Sequence, residues 1–258
     1  MYYIMDKQRF IMELPQFFDE AERYDILFVG ENHGAQETHD AERIILTGLS
    51  ERHPNLVLAL EMFERDVQAV LDDYLTGSLP ENQFLELARP WPNYQEDYRP
   101  LIEFAKANSI SVIAANVPRR AAAAVAAANE VSADVMGVDS DDLPDTLHLD
   151  SADYFERFKA MIQGMSDAAP MKRMHIDGLY KAQVLKDAVM AASLEPFLDR
   201  PILFCCGQFH CDYHLGIPYQ LEKNFPGLNI AVITFASYNE QVPMSELSRM
   251  GDYIWIEE

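Results

Sequence analysis

Short, uninterrupted apolar runs that break off at polar residues restrict what this chain can fold into. Six of them lie at residues 26–29, 56–60, 111–115, 135–138, 202–206 and 230–235, rich in Val, Ile, Leu, Ala and Phe. Continuous rather than alternating runs suit strands covered on both faces, the condition of a parallel sheet. Residues 253–256 read as a further strand near the C-terminus. Helical patterns at 38–51, 64–75, 99–108 and 119–129 fall between the runs. The predicted fold is therefore α/β, a mainly parallel β-sheet flanked by helices. The intervals of roughly 64–105 and 145–200 exceed ordinary crossovers and read as helical insertions forming a cap. With no internal repeat and no low-complexity linker, 1–258 reads as a single domain.

Charge narrows the partners. Asp and Glu number 42 against 20 Lys and Arg, a formal net charge of -22. Such a surface repels phosphate backbones and anionic headgroups, so nucleic acid is excluded as an expected partner. The acidic run Asp139-Ser140-Asp141-Asp142, with Asp145, reads as a solvated loop. No stretch has the apolar length of a membrane span, and Met1 to Lys7 lack the basic start and apolar run of a secretory signal. Cys205, Cys206 and Cys211 lie too close together to staple distant segments, which points to a reducing compartment. A cytoplasmic location is the resulting expectation.

The polar residues that end the strands carry the functional signal. The first run leads into Gly30-Glu31-Asn32-His33-Gly34, and the second ends at Glu61. The third ends at Asn116, ahead of Pro118-Arg119-Arg120 at a helix start, and the fifth leads into Gly207-Gln208-Phe209-His210. Ligands of open α/β sheets bind outside the carboxyl ends of the strands, where all these groups fall. A carboxylate beside an imidazole orients it, raises its basicity or shares a metal with it, so Glu31, His33, Glu61 and His210 are candidate catalytic residues and candidate ligands. The competing reading is a set of structural hydrogen bonds, with Glu61 in an ion pair to His33, Arg119 or His210. Arg119 suits an anion at a helix start, whereas Arg120 reads as charge balance. His39 can approach the first motif from its own helix. His53, His148 and His175 show no partner in the sequence.

Tyr180, Gln183, Asp187 and Met190 recur at one helical face, beside the apolar stripe Leu179, Ala182, Leu185 and Val189. They read either as a pocket wall or as the exposed side of an amphipathic helix. Met161, Met165, Met171 and Met174 form a dense group just upstream, suited to core filling or to an adaptable apolar surface. Beyond His210 come Tyr213 and His214, two side chains able to ligate haem iron.

These blocks together resemble the ChaN-like haem-binding family, within the wider group of erythromycin esterase-like enzymes and Tiki-type metalloproteases. The resemblance is carried by Gly30-Glu31-Asn32-His33 with His39, by 60–65, by Trp91, Tyr94, Tyr98, Pro100 and Ala105, and by 116–119. It continues through Tyr180, Gln183, Asp187 and Met190 to His210, Tyr213, Gly216, Ile217 and Pro218, spanning residues 26–221 in order. The resemblance implies an α/β fold, haem as cofactor, a homodimer holding two haems face to face, and tyrosine ligation of iron, for which Tyr213 is the matching residue. His214 stands where a small residue is expected and alters that pattern. Asn116, Arg119, Tyr180, Gln183 and Asp187 complete the cofactor-binding candidates. The wider group implies a hydrolase, an esterase or peptidase, in which His33 is general base or ligand, Glu31 and Glu61 orient it or share a metal, and Mn, Co or Zn is the ion.

Overall fold

The computed structural model describes residues 2–138, 143–144, 146–164, 175–237 and 242–257. The acidic run from Asp139 to Asp142 with Asp145, and Met165, Met171 and Met174, lie outside the described residues.

The strands are β1 (Tyr2–Asp6), β2 (Ile11–Met12), β3 (Ile26–Glu31), β4 (Val57–Glu64), β5 (Ser111–Asn116), β6 (Ile202–Gly207), β7 (Ile230–Ser237) and β8 (Tyr253–Glu257). They form one sheet in the order β2-β1-β8-β7-β3-β6-β4-β5. Pairing is parallel from β8 to β5, and β1 adds antiparallel contacts to β8 and β2. The α/β expectation therefore holds. The N-terminal strands β1 and β2 were not legible, because Tyr2 to Asp6 mixes polar and apolar residues and gains its burial only beside β8.

The period-two alternation of side chains divides the strands between two cores. Leu27, Val29, Leu58, Leu60, Leu203 and Cys205 face α1 (Leu14–Ala21), α2 (Gln36–Ser50), α3 (Gln68–Leu75), α4 (Glu81–Ala88) and α5 (Arg99–Ala107). Ile26, Phe28, Val57, Ala59, Phe204 and Cys206 face the opposite layer, with Phe28 and Phe204 stacked at 5.2 Å between centroids. Cys205 and Cys206 thus lie on opposite faces, both buried thiols.

The opposite layer includes α6 (Arg119–Ala128), α7 (Ala133–Met136), α8 (Ala152–Gly164), α9 (Ile176–Ala192) and α10 (Ile217–Asn224), with α11 (Met244–Met250) near the C-terminus. Helix α7 corrects the strand expected at 135–138. Ser132 caps it, its hydroxyl accepting from Val135 N, and Gly137 ends it with φ 65°, so a Ser cap and a left-handed Gly outweigh two valines. Helix α9 is also buried more completely than an amphipathic surface helix. Tyr180, Asp187 and Met190 are inside along with Ala182, Leu185 and Val189 of the apolar stripe, because α8 covers Tyr180 and Asp187 while Met190 packs on the sheet. The polar face of α9 is therefore a wall, not an exposed side.

At the far edge, β5 is closed by a side chain. Gln68 donates from Nε2 to Val112 O at 2.8 Å and accepts from Ala114 N at 2.7 Å, filling both free positions of alternate residues. This is the work a further strand would do, and it blunts an edge open to aggregation.

Candidate functional site

Strand β3 is central, with β6 on one side and β7 on the other, so the chain reverses its direction of travel across the sheet here. That switch point opens a crevice at the carboxyl ends. Register brings Glu31 opposite Gly207. Strand β4 leaves regular pairing after Leu60 and resumes only at Glu64 against Asn116, and this irregularity re-aims Glu61 toward β6. The two glycine-histidine motifs consequently meet. A Cβ on Gly207 would stand 2.7 Å from His33 Nε2 and 3.5 Å from Glu61 Oε2.

On the β6 side, His210 is buried and held at both nitrogens. Its Nδ1 lies 2.5 Å from Asp187 Oδ1 and its Nε2 3.3 Å from Glu61 Oε1. Glu61 Oε2 accepts from Gly207 N at 2.8 Å, and Tyr154 donates to Asp187 Oδ2 at 2.7 Å. Gln183 in turn donates to the Tyr154 hydroxyl at 3.1 Å. Burial alone would neutralise these groups. For Glu61 the imidazoles of His210 and His33 and the Gly207 amide outweigh burial and hold its carboxyl at about 2. Burial likewise opposes the charge on His210, but the carboxylates of Glu61 and Asp187 raise it to about 10. His210 is therefore an imidazolium at neutral pH, a fixed cation between two carboxylates and without a free lone pair.

On the β3 side, His33 is half-exposed and pairs through Nδ1 with Glu31, with the Trp91 ring edge-on at 5.0 Å. Burial lowers its basicity, but hydrogen bonding to Glu31 and the nearby Glu61 charge raise it overall. Tyr98, at the end of the π-helical turn Tyr94–Tyr98, donates to Glu31 Oε1 at 2.7 Å. Burial pushes the Glu31 carboxyl up, and the bonds from His33 and Tyr98, with Glu42 beside it, bring it below its ordinary value. Glu42 is pushed well above the carboxylate range by complete burial and by the Glu31 charge beside it. His39 Nδ1 lies 3.0 Å from Glu42 Oε2 and 3.7 Å from Glu31 Oε2, and its Nε2 is 3.5 Å from Asp97 Oδ2.

The candidate residues thus fall into distinct places. Glu31, His33, Glu61 and His210 converge as a chain of acid–base pairs. Asp187 joins them from α9, and Gln183 stands behind it. Asn116 ends β5 with a buried Oδ1 that has no partner among the described residues, while Arg119 is exposed at the start of α6. Tyr180 donates to Ser151 O at 3.2 Å inside the aromatic cluster of α8 and α9, away from the His210 pair. Tyr213 lies past His210 in left-handed backbone (φ 63°), its hydroxyl given to Glu246 and its ring under the Arg157 guanidinium at 3.7 Å. Burial and Glu246 push its phenol up to about 12, against the pull of Arg157. His214 is tied to Asp252 at 2.8 Å.

Three participants were not singled out in the sequence. Tyr154 gave no signal beyond its spacing from Phe158. Glu42 did: with Thr38, Ile45 and Leu49 it occupies the inward face of α2, and a carboxylate there demands a partner. Asp97 precedes Tyr98 and showed nothing until the π-turn placed it over His39.

No curated protein sequence matches this chain. Among solved structures, ChaN of Campylobacter jejuni, described with cofacial haem binding, is similar with a TM-score of 0.78 and 18% identity over 100% of this chain and 97% of that one. An erythromycin esterase, EreC, in its open conformation is similar at 0.57 and 11% identity, over 99% and 97% of the two chains. The type III effector HopBA1 follows at 0.52 and 12%, over 94% and 92%. At these identities the likeness shows a shared fold. A family model described as haem-binding uptake, Tiki superfamily, ChaN matches residues 17–221, and the chain belongs to that family.

Proposed function

We propose that this protein binds haem through the loop after β6, with Tyr213 as the iron ligand, in the handling of haem or iron. The observation that carries the reading is the setting of the Tyr213 phenol in a chain of this family. It is half-buried, it donates a hydrogen bond to the Glu246 carboxylate, and it lies against Arg157. Ligation as a phenolate would require the phenol proton to leave, with Glu246 placed to accept it and the Arg157 cation favouring the anion. The surroundings fit the rest of a haem. Phe209 and Leu215 on the same loop pack with Phe155, Phe158 and Met161 of α8 into an aromatic cap. A cleft of about 350 Å³ is lined by Phe158, Met161 and Ile162 of α8 together with apolar residues of α6 and α9 and with Arg119, Gln183 and Lys186, which suits an apolar ring edge with carboxylates. When bound, haem supplies iron-centred chemistry; the chain supplies the oxygen ligand, the proton acceptor and the cations. Titration of the purified protein with haem tests this. A saturable Soret shift that Tyr213→Phe weakens is expected, and a titration like that of a non-binding control protein refutes it. The same titration followed by size-exclusion chromatography tests the homodimer that cofacial haems require.

One observation favours a second reading, hydrolysis of an ester or peptide. His33 is the half-exposed imidazole of the cluster, oriented by Glu31 and adjoining the Glu61–His210–Asp187 array. In that reading His33 takes the proton from water, and His210, which cannot act as a base at neutral pH, holds the Glu61 carboxylate beside it. A panel of esters and peptides with and without Mn, Co or Zn tests it. Turnover untouched by His33→Ala and Glu31→Ala rules out this site as its source.

A further inference from the structure

We propose that Glu31, His39 and Glu42 form a buried site for one divalent first-row metal ion, distinct from the strand-end set of His33, Glu61 and His210. One ligand atom from each of the three residues lies within 4.8 Å of the others. All three side chains are at least nine-tenths buried, and Glu31 Oε2 and Glu42 Oε1 have no hydrogen-bond partner among the described residues. Two carboxylates facing one another out of water need something positive between them, either a cation or a shared proton. The arrangement around His39 favours the cation. Its Nδ1 is turned to Glu31 and Glu42, while Nε2 faces the Asp97 carboxylate at 3.5 Å. A metal-bound imidazole characteristically gives its other N–H to a carboxylate, which fixes its tautomer and raises its donor strength. A shared proton alone would not call for that third carboxylate.

The donor set also selects the ion. Two carboxylates and one imidazole suit manganese, zinc or ferrous iron rather than calcium or magnesium, which prefer oxygen throughout. The residues are rigidly presented: Glu31 ends the central strand, and His39 and Glu42 lie three apart on α2. The Tyr94–Tyr98 π-turn closes over them, and the neighbouring His33 and Asp97, partners of Glu31 and His39, lie nearer solvent. The site does not depend on haem binding, since Tyr213 belongs to another loop.

Chelator-treated protein dialysed against Mn²⁺ or Zn²⁺, with bound metal counted per chain and thermal unfolding followed in parallel, tests the proposal. About one ion per chain and a raised unfolding midpoint are expected. Glu42→Gln and His39→Gln should each abolish or weaken binding at least tenfold, and Asp97→Asn should weaken it about ten- to hundredfold. Tyr213→Phe should retain the metal, which separates this result from the haem reading. Absence of bound metal in the wild type overturns the proposal, and Glu42→Gln at least as stable would then assign a shared proton to the pair. Metal retained in both Glu42→Gln and His39→Gln overturns it as well. Should Glu42→Gln fail to fold, His39→Gln and Asp97→Asn decide the matter.

Discussion

Gly207 and His33 share one volume: a Cβ on Gly207 would lie 2.7 Å from His33 Nε2. The glycine of the second motif therefore exists to admit the histidine of the first. Gly207→Ala should fold, because the backbone there is in an ordinary region (φ -57°) and the crowded group is the end of a half-exposed side chain. We expect a loss of about 1 kcal/mol together with displacement of His33 from Glu61. The His33 imidazole signal in NMR, followed against pH, should move toward that of a free histidine.

The His210 array makes stability depend on pH at both ends. Below the ordinary histidine value of about 6.5 the contribution of the raised His210 is complete, and it is lost as pH climbs through about 10. Glu61, held at about 2, contributes fully above the ordinary carboxylate range and loses its contribution as pH falls through about 2. Urea unfolding at stepped pH should show the advantage of wild type over His210→Gln shrinking toward pH 10. Asp187→Ala leaves the imidazolium half-paired in the interior and should cost about 3–5 kcal/mol at neutral pH.

Haem ligation by Tyr213 and by His214 can be told apart. Glu246 accepts a hydrogen bond from the Tyr213 hydroxyl, whereas His214 is bound to Asp252, which also accepts from Val232 N at 3.1 Å. Glu246→Gln should weaken haem affinity about tenfold, the scale seen when the partner of a ligand is removed, and His214→Ala should leave the Soret position unchanged. The reverse pattern would assign the iron to His214.

Gln68 should be a guardian of the sheet edge. Gln68→Ala strips partners from Val112 O and Ala114 N. We expect a loss of about 1–3 kcal/mol, the cost of unsatisfied polar groups, and faster aggregation on warming, read by light scattering.

The sequence alone determined the strand-forming runs of the parallel core, because continuous apolar segments between helical ones have few other uses. It also placed the strand-end residues Glu31, His33, Glu61 and His210, since a polar residue that ends a buried strand must lie at the sheet's edge. Only tertiary structure decided which of them pair. The bulge after Leu60 turns Glu61 to His210 instead of Arg119, and α8 supplies Tyr154 and buries Asp187. It likewise made a helix of 133–136, where a capping serine and a left-handed glycine count for more than β propensity. The glycine-histidine motifs, so alike in sequence, end in opposite states for one reason. His210 is enclosed between two carboxylates and charged at neutral pH, while His33 keeps an edge to solvent, and enclosure is a property of packing that no local pattern carries.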